Sequence, residues 1–298
     1  MKIDGVKIID GRSHSAKLIT NIKKRIKNFH SDNGFLPGLS VIMVGNNPAS
    51  EIYVKNKLKI ANDIQIKAKL LSLSDDITEK DLVNEIEKLN SDDKVDGILV
   101  QLPLPKHIKE TNIINKISPD KDVDGFHPIN FGNLILGNRT LVPCTPLGCM
   151  YLIKKEISDI NGKNAVIVGR SNIVGKPLSG LLLKENCTVT ICHSKTKNLH
   201  AITSKADIII AAIGQPEFIT EKYVNNNSIV IDVGINRIKK NDEKTKIVGD
   251  VDFRRIVENV KKISPVPGGV GPMTIACLMY NTIKAASMRR NQTFEEFI

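Results

Sequence analysis

Ala165-Val-Ile-Val-Gly169-Arg-Ser-Asn-Ile-Val-Gly175-Lys-Pro177 decides the fold. An unbroken apolar run suits a strand covered on both faces, as in a parallel sheet. Gly169 allows a tight turn, and Gly175 with Pro177 opens a helix. Strand, glycine turn and helix start make the first phosphate-binding unit of a doubly wound dinucleotide domain. The spacing here is Gly-x-Ser-x-x-x-Gly rather than Gly-x-Gly-x-x-Gly, so the segment alone also fits an ordinary βα turn.

The next strand adds to this reading. Thr188-Val-Thr-Ile-Cys-His-Ser-Lys-Thr196 ends in His193, Ser194 and Lys195. An NAD-binding domain usually has a carboxylate there for the adenosine ribose. Hydroxyl and cationic groups, with Arg170 in the first turn, suit a 2′-phosphate instead, so NADP is the expected cofactor. Gly214 and Asp232-Val-Gly-Ile235-Asn lie at later strand ends, where the nicotinamide half would sit, and Asp232 reads most simply as strand-end packing.

The amino-terminal half alternates in the same way. Ile19, Ile22, Ile26 and Phe29 share one helical face, and Leu39 to Val44 is a buried-strand run. Asn47-Pro48 opens a helix, Thr78 and Asp81 form a capping-box-like pair, and Val95 to Val100 is another strand. Strands separated by helices imply βαβ units and a mainly parallel sheet. The loop-rich stretch from Ser118 to Pro143 is the expected domain junction, and a last helix is expected from Pro272 to Ser287. A charged hairpin is expected around Lys239–Lys246.

Composition narrows the function classes. A length of 298 residues suggests about two domains. The apolar content is 41 % and the charged content 25 %, ordinary for a globular protein. No run approaches the roughly 20 apolar residues of a bilayer span. The amino terminus has neither an apolar signal core nor an Arg/Ser-rich presequence, so the cytoplasm is expected. Five cysteines without a CxxC spacing argue against a disulfide framework and a zinc knuckle, and Cys187 and Cys192 read as small buried hydrophobes. The net charge of +11 comes mostly from dispersed lysines such as Lys23, Lys24 and Lys27, with aromatics only 4 %. That pattern points to a solvated basic surface that attracts small anions rather than to a nucleic-acid partner.

Several short segments carry candidate chemistry. Tyr53 and Lys57 are four apart and share a helix face. Gln101 follows a strand, where open α/β sheets build sites. Asp120-Lys-Asp122-Val-Asp124-Gly125 opens like a calcium loop, but its twelfth position is Phe131 rather than a bidentate glutamate, so no metal is expected and Asp124 remains as a binding carboxylate. Pro265-Val-Pro-Gly-Gly-Val-Gly-Pro-Met-Thr274 is stiff and bare at once, suited to a tight connector or to a ligand-facing wall.

Tyr-Val-Lys-Asn-Lys, Val-Gln-Leu-Pro-Leu-Pro, Lys-Asp-Val-Asp-Gly-Phe, Gly-Arg-Ser-x-x-Val-Gly-x-Pro and Pro-Gly-Gly-Val-Gly-Pro-Met-Thr occur in one order along the whole chain. In this the chain closely resembles the bifunctional methylenetetrahydrofolate dehydrogenase/methenyltetrahydrofolate cyclohydrolase family. The resemblance implies a two-domain α/β protein. An amino-terminal αβα catalytic domain, 1–125, would be completed by the carboxy-terminal helix of 272–298. A Rossmann-like NADP domain would cover 126–271, with the folate site in the cleft. It implies that Lys57 is catalytic, with Gln101 and Asp124, that Tyr53, Pro267, Gly268 and Gly269 line the folate, and that Gly169, Arg170, Ser171, Ser194 and Ile235 contact NADP. Also implied are a homodimer, tetrahydrofolate one-carbon substrates, a link to purine biosynthesis, and the absence of the formyltetrahydrofolate synthetase domain that some relatives carry. The residues by themselves leave room for an NADP-linked dehydrogenase of a small anionic substrate, with Lys57 on its carboxylate.

Overall fold

The computed structural model describes residues 7–239, 245–292 and 294–296. Two compact units divide the chain: Lys17–Cys144 with Ile275–Ile298, and Met1–Ala16 with Thr145–Thr274.

In the first unit α1 (Gly11–Asn33) leads to β1 (Gly38–Val44), α2 (Pro48–Asp63), β2 (Lys67–Leu73), α3 (Glu79–Ser91), β3 (Gly97–Val100), α4 (Glu110–Ile114) and α5 (Pro128–Ile135). The sheet order is β2-β1-β3, all parallel. Every residue of β1 and β3 is buried, whereas β2 is an exposed edge strand. Pro48 begins α2, and Asn47 Oδ1 accepts from Ser50 N at 3.3 Å. Thr78 caps α3 by accepting from Asp81 N at 3.1 Å. The buried stripe of α1 is Leu18, Ile22, Ile26 and Phe29; Leu18 takes the place expected of Ile19, because a 4-4-3 spacing holds the stripe straighter on the helix.

The second unit follows with α6 (Cys144–Glu156), β4 (Asn164–Val168), α7 (Gly175–Lys184), β5 (Thr188–Cys192), α8 (Leu199–Thr203), β6 (Ile208–Ala211) and β7 (Ile229–Asp232). Then come β8 (Asn236–Lys239), β9 (Thr245–Val248), α9 (Phe253–Ile256) and β10 (Lys262–Ile263); α10 (Val270–Arg289) begins in this unit and from Ile275 belongs to the first. Its parallel sheet runs β10-β7-β6-β4-β5, while β8 and β9 form an antiparallel pair whose connecting residues lie outside those described. The core is aliphatic, from Val166, Val168, Ile209, Val230, Ile256 and Ile263.

Residues 126–144 pack with the first unit for a local reason. Asn130 donates to the Pro119 carbonyl at 2.8 Å and to Asp122 Oδ2 at 2.9 Å, and Thr140 Oγ1 donates to Asn130 Oδ1 at 2.7 Å. A Cβ on Gly125 would lie 2.5 Å from Pro143 N, so 126–144 is bound to the first unit. The first sixteen residues go with the second unit because Ile8 bridges Ile263 and Ser15 Oγ donates to the Pro272 carbonyl at 3.0 Å.

Within the first unit, Asn281 of α10 is fully buried, and its Nδ2 donates to the Val123 and Val142 carbonyls at 2.8 Å each. Asn281→Ala would leave the Val142 carbonyl unpaired and the Val123 carbonyl with only the Cys144 thiol at 3.2 Å. It should cost roughly 1–3 kcal/mol, the scale of one orphaned carbonyl, as read by the denaturant midpoint.

Candidate functional site

Lys57 is only 9 % exposed although it carries an ammonium. Its Nζ donates to Gln101 Oε1 at 2.9 Å. Gln101 is itself fixed, its N–H extending the ladder to the Ile42 carbonyl at 2.9 Å and its Nε2 donating to the Leu102 carbonyl at 2.8 Å. The amide oxygen therefore has one direction left, toward Lys57. Tyr53 lies one turn earlier on α2 and is 36 % exposed, so its ring is partly open to solvent.

Asp124 stands near the same ammonium. Burial pushes its carboxyl up to about 6, while the Lys57 charge pulls it back down and Asp122 adds to the rise. The Cys144 thiol donates to the adjacent Val123 carbonyl at 3.2 Å. Burial raises the Cys144 thiol well above its usual range, so this sulfur is a neutral donor and no nucleophile.

The loop that carries Asp124 is braced on both sides. Asp122 Oδ2 accepts from His127 N at 2.7 Å and from Asn130 Nδ2 at 2.9 Å. Buried Lys121 donates to the carbonyls of Leu89, Asn90 and Asp92 at 3.0, 2.7 and 2.8 Å, closing the carboxyl end of α3, and burial lowers its pKa. Asp120 turns away to Arg289 at 3.3 Å. The three carboxylates that mimic a calcium loop thus serve an ion pair, a loop brace and the Lys57 environment. The roles of Cys144, Asn281 and Asp122 were not read from the sequence; only the proximity of Asp122 to Asp124 in the chain hints at one.

In the second unit the chain passes from β4 outward to β5 and returns to β6 on the other side, so the switch point lies between β4 and β6. There Gly169 has φ +135°, and a Cβ on it would sit 2.1 Å from the Ala212 carbonyl oxygen. A Cβ on Gly175 would sit 2.2 Å from the Gly169 carbonyl oxygen. Both glycines are required for main-chain contact, which separates this turn from an ordinary βα connection. Ser171 Oγ accepts from Val174 N at 3.2 Å and Gly175 N at 3.4 Å, ordering the amino end of α7. Arg170, Ser194 and Lys195 are exposed, and the 193–196 turn is held by His193 N on Thr196 Oγ1 at 2.9 Å. A bare cradle at a helix amino terminus, with a cation and a hydroxyl at the end of β5, fits a dinucleotide carrying an extra phosphate. Ile235 is half exposed just beyond β7. Asp232 is buried and accepts main-chain hydrogen bonds, as strand-end packing requires, and burial pushes its carboxyl up to about 7.

The Pro267–Gly269 segment has a packing reason that the sequence did not reveal. Gly268 has φ +116° and its carbonyl accepts from Arg12 N at 3.2 Å. A Cβ on Gly11 would lie 1.8 Å from the Gly269 carbonyl oxygen. The glycines admit the first turn of α1 against this run.

Residues 9–124 match the tetrahydrofolate dehydrogenase/cyclohydrolase catalytic domain family, and residues 143–290 match the NAD(P)-binding domain of the same name. The Bifunctional protein FolD of Rickettsia typhi is 55 % identical over 279 residues, 93 % of this chain and 96 % of that protein. The crystal structure of the bifunctional methylenetetrahydrofolate dehydrogenase/cyclohydrolase of Campylobacter jejuni is similar at 48 % identity and TM-score 0.90, covering 95 % of this chain and 99 % of that one. A Trypanosoma brucei methylenetetrahydrofolate dehydrogenase-cyclohydrolase, complexed with NADP and an inhibitor, is similar at 33 % identity and TM-score 0.91, covering 98 % and 100 %.

Because Lys57 holds the Asp124 carboxyl below where burial alone would put it, its removal should raise that group. Carboxyl carbon NMR should find Asp124 titrating at about 6 in the wild type and higher in Lys57→Met. An unchanged midpoint would show that the two charges do not interact.

Proposed function

This chain belongs to the tetrahydrofolate dehydrogenase/cyclohydrolase family, and from that membership we infer that it is a bifunctional one-carbon enzyme. It oxidises 5,10-methylenetetrahydrofolate with NADP+ to 5,10-methenyltetrahydrofolate and hydrolyses that product to 10-formyltetrahydrofolate. The observation that carries the reading is the 2.9 Å Lys57–Gln101 hydrogen bond beside Asp124, in a chain whose two halves match the two domains of one family.

When bound, NADP+ supplies the hydride acceptor. In the folate, a ring-nitrogen lone pair expels hydride from the bridging carbon and leaves a stabilised amidinium, a step that asks for alignment rather than for a strong base. Hydrolysis is different, because water adding to the cationic carbon must shed a proton. Lys57 in its neutral amine form is the group that takes up that proton at Nζ, and as the resulting ammonium returns it, while Gln101 fixes where Nζ lies. Asp124, ionised above about 6, accepts from the pterin amino and ring N–H groups. Tyr53 offers its ring face to the folate. Pro267, Gly268 and Gly269 form a wall for the substrate. Gly169 and Ser171 serve the pyrophosphate, Arg170 and Ser194 the 2′-phosphate, and Ile235 the nicotinamide half. On the family resemblance we extend the reading to a cytoplasmic homodimer whose product supports purine biosynthesis.

The direct test follows absorbance with methylenetetrahydrofolate and NADP+. The methenyl species should form and then decay; accumulation without decay would mean a dehydrogenase only. Lys57→Met should fold and lose cyclohydrolase turnover by at least about 100-fold, the scale of a general acid–base group. Near-normal hydrolysis in that variant would remove Lys57 from its role. NADP+ should also exceed NAD+ in kcat/KM by at least about tenfold, since one charge-assisted phosphate contact contributes about 1.5 kcal/mol or more. Equal values would contradict the assignment of Arg170 and Ser194.

A further inference from the structure

Asp232 and Asp250 are 2 % and 0 % exposed, and neither has an ion-pair partner among the described residues. Their oxygens are taken almost wholly by main-chain amides. Asp232 Oδ1 accepts from Gly234 N at 3.0 Å and Asp250 N at 2.9 Å, and its Oδ2 accepts from Val251 N at 3.0 Å. Asp250 Oδ2 accepts from Ile213 N at 2.7 Å and Gly214 N at 2.9 Å, while its Oδ1 accepts from Asn236 Nδ2 at 2.8 Å. The surrounding chain is shaped for the pair: a Cβ on Gly249 would meet Asp232 Oδ2 at 1.8 Å, and one on Gly234 would meet Asp250 Oδ1 at 2.3 Å.

Asp250 thus ties the turn after β6 to the turn after β7, and Asp232 anchors Asp250. Both turns lie at strand carboxyl ends, and Ala212, next to Ile213, is the residue that Gly169 touches at the switch point. In a doubly wound sheet the dinucleotide crosses that point, with its adenosine half on the β5 side. Its redox-active half would then fall over β6 and β7. We propose that Asp250 is a positioning residue for hydride transfer. It joins Ile213–Gly214 and Gly234–Asn236 into one ledge under the nicotinamide half and contributes nothing to hydrolysis. The proposal rests on the dehydrogenase reading above. Hydride transfer is sensitive to such a ledge because the reacting carbons must approach to about 3–3.5 Å, and a misplacement of about 1 Å can cost on the order of 100-fold.

The test uses the full-length enzyme carrying Asp250→Asn, which keeps the shape but has one oxygen fewer to accept with. Dehydrogenase kcat should fall by about 10–100-fold and the primary deuterium isotope effect on it should rise. Cyclohydrolase kcat, assayed on supplied methenyltetrahydrofolate, and the Kd for 2′,5′-ADP should stay within about twofold of wild type, because neither uses the ledge. A parallel fall of both activities would reduce Asp250 to a fold role, and an unchanged dehydrogenase rate would overturn the proposal. Asn236→Ala, which removes only the 2.8 Å tether, should show the same signature at smaller size. It decides the matter if Asp250→Asn does not fold, and an unaltered dehydrogenase rate in it overturns the proposal. A wild-type enzyme without dehydrogenase activity would instead defeat the functional reading itself.

Discussion

A lysine ammonium that is nine-tenths buried has to be given oxygen, and in this protein that need organises the first unit. Lys57 meets it with one neutral acceptor, Gln101, and one carboxylate nearby, Asp124. Neither partner is left to find its own place. Gln101 is the residue at which β3 stops, so the sheet sets its main chain and the Leu102 carbonyl sets its amide. Asp124 depends on a loop braced by Asp122 amide contacts, by Lys121 on α3 and by Asn281 on α10. The carboxy-terminal helix thereby braces the loop that carries Asp124.

Much of this was legible in the sequence. The buried strands were readable because both their faces are covered, which leaves an unbroken apolar signature in Leu39–Val44 and Ala165–Val168. The edge strand β2 was not, since Lys67-Ala-Lys-Leu-Leu-Ser-Leu73 mixes charge with leucine on a surface half open to water. Helix α5 was hidden in a stretch rich in glycine and proline, where His127 Nδ1 supplies the cap by accepting from Ile129 N at 3.1 Å. Histidine is not a usual helix-start signal.

Of the candidate site residues, Tyr53, Lys57, Gln101 and Asp124 could be picked out as single letters. Their supports could not. Asn281 reaches Val123 across 158 positions and Asp250 reaches Ile213 across 37, and no local pattern encodes a contact made by the fold. The glycines divide in the same manner. Gly169 and Gly175 belong to a spacing that can be read as a motif, whereas Gly268 and Gly269 look like a bare surface until Gly11 is seen to need the room.

The two units treat buried charge in opposite ways, and the difference follows from their chemistry. Around Lys57 a cation, a neutral amide and a carboxylate that burial pushes up to about 6 stand together. At Asp232 and Asp250 no cation is present among the described residues, and the charge is spread over five main-chain N–H groups and one side-chain amide. Main-chain donors cannot rotate away or exchange partners, so that pair fixes the geometry of the turns it joins. Hydride transfer asks for fixed distance, and hydrolysis asks for a mobile proton. One unit keeps a cation, an amide and a carboxylate together, and the other fixes two carboxylates with main-chain amides.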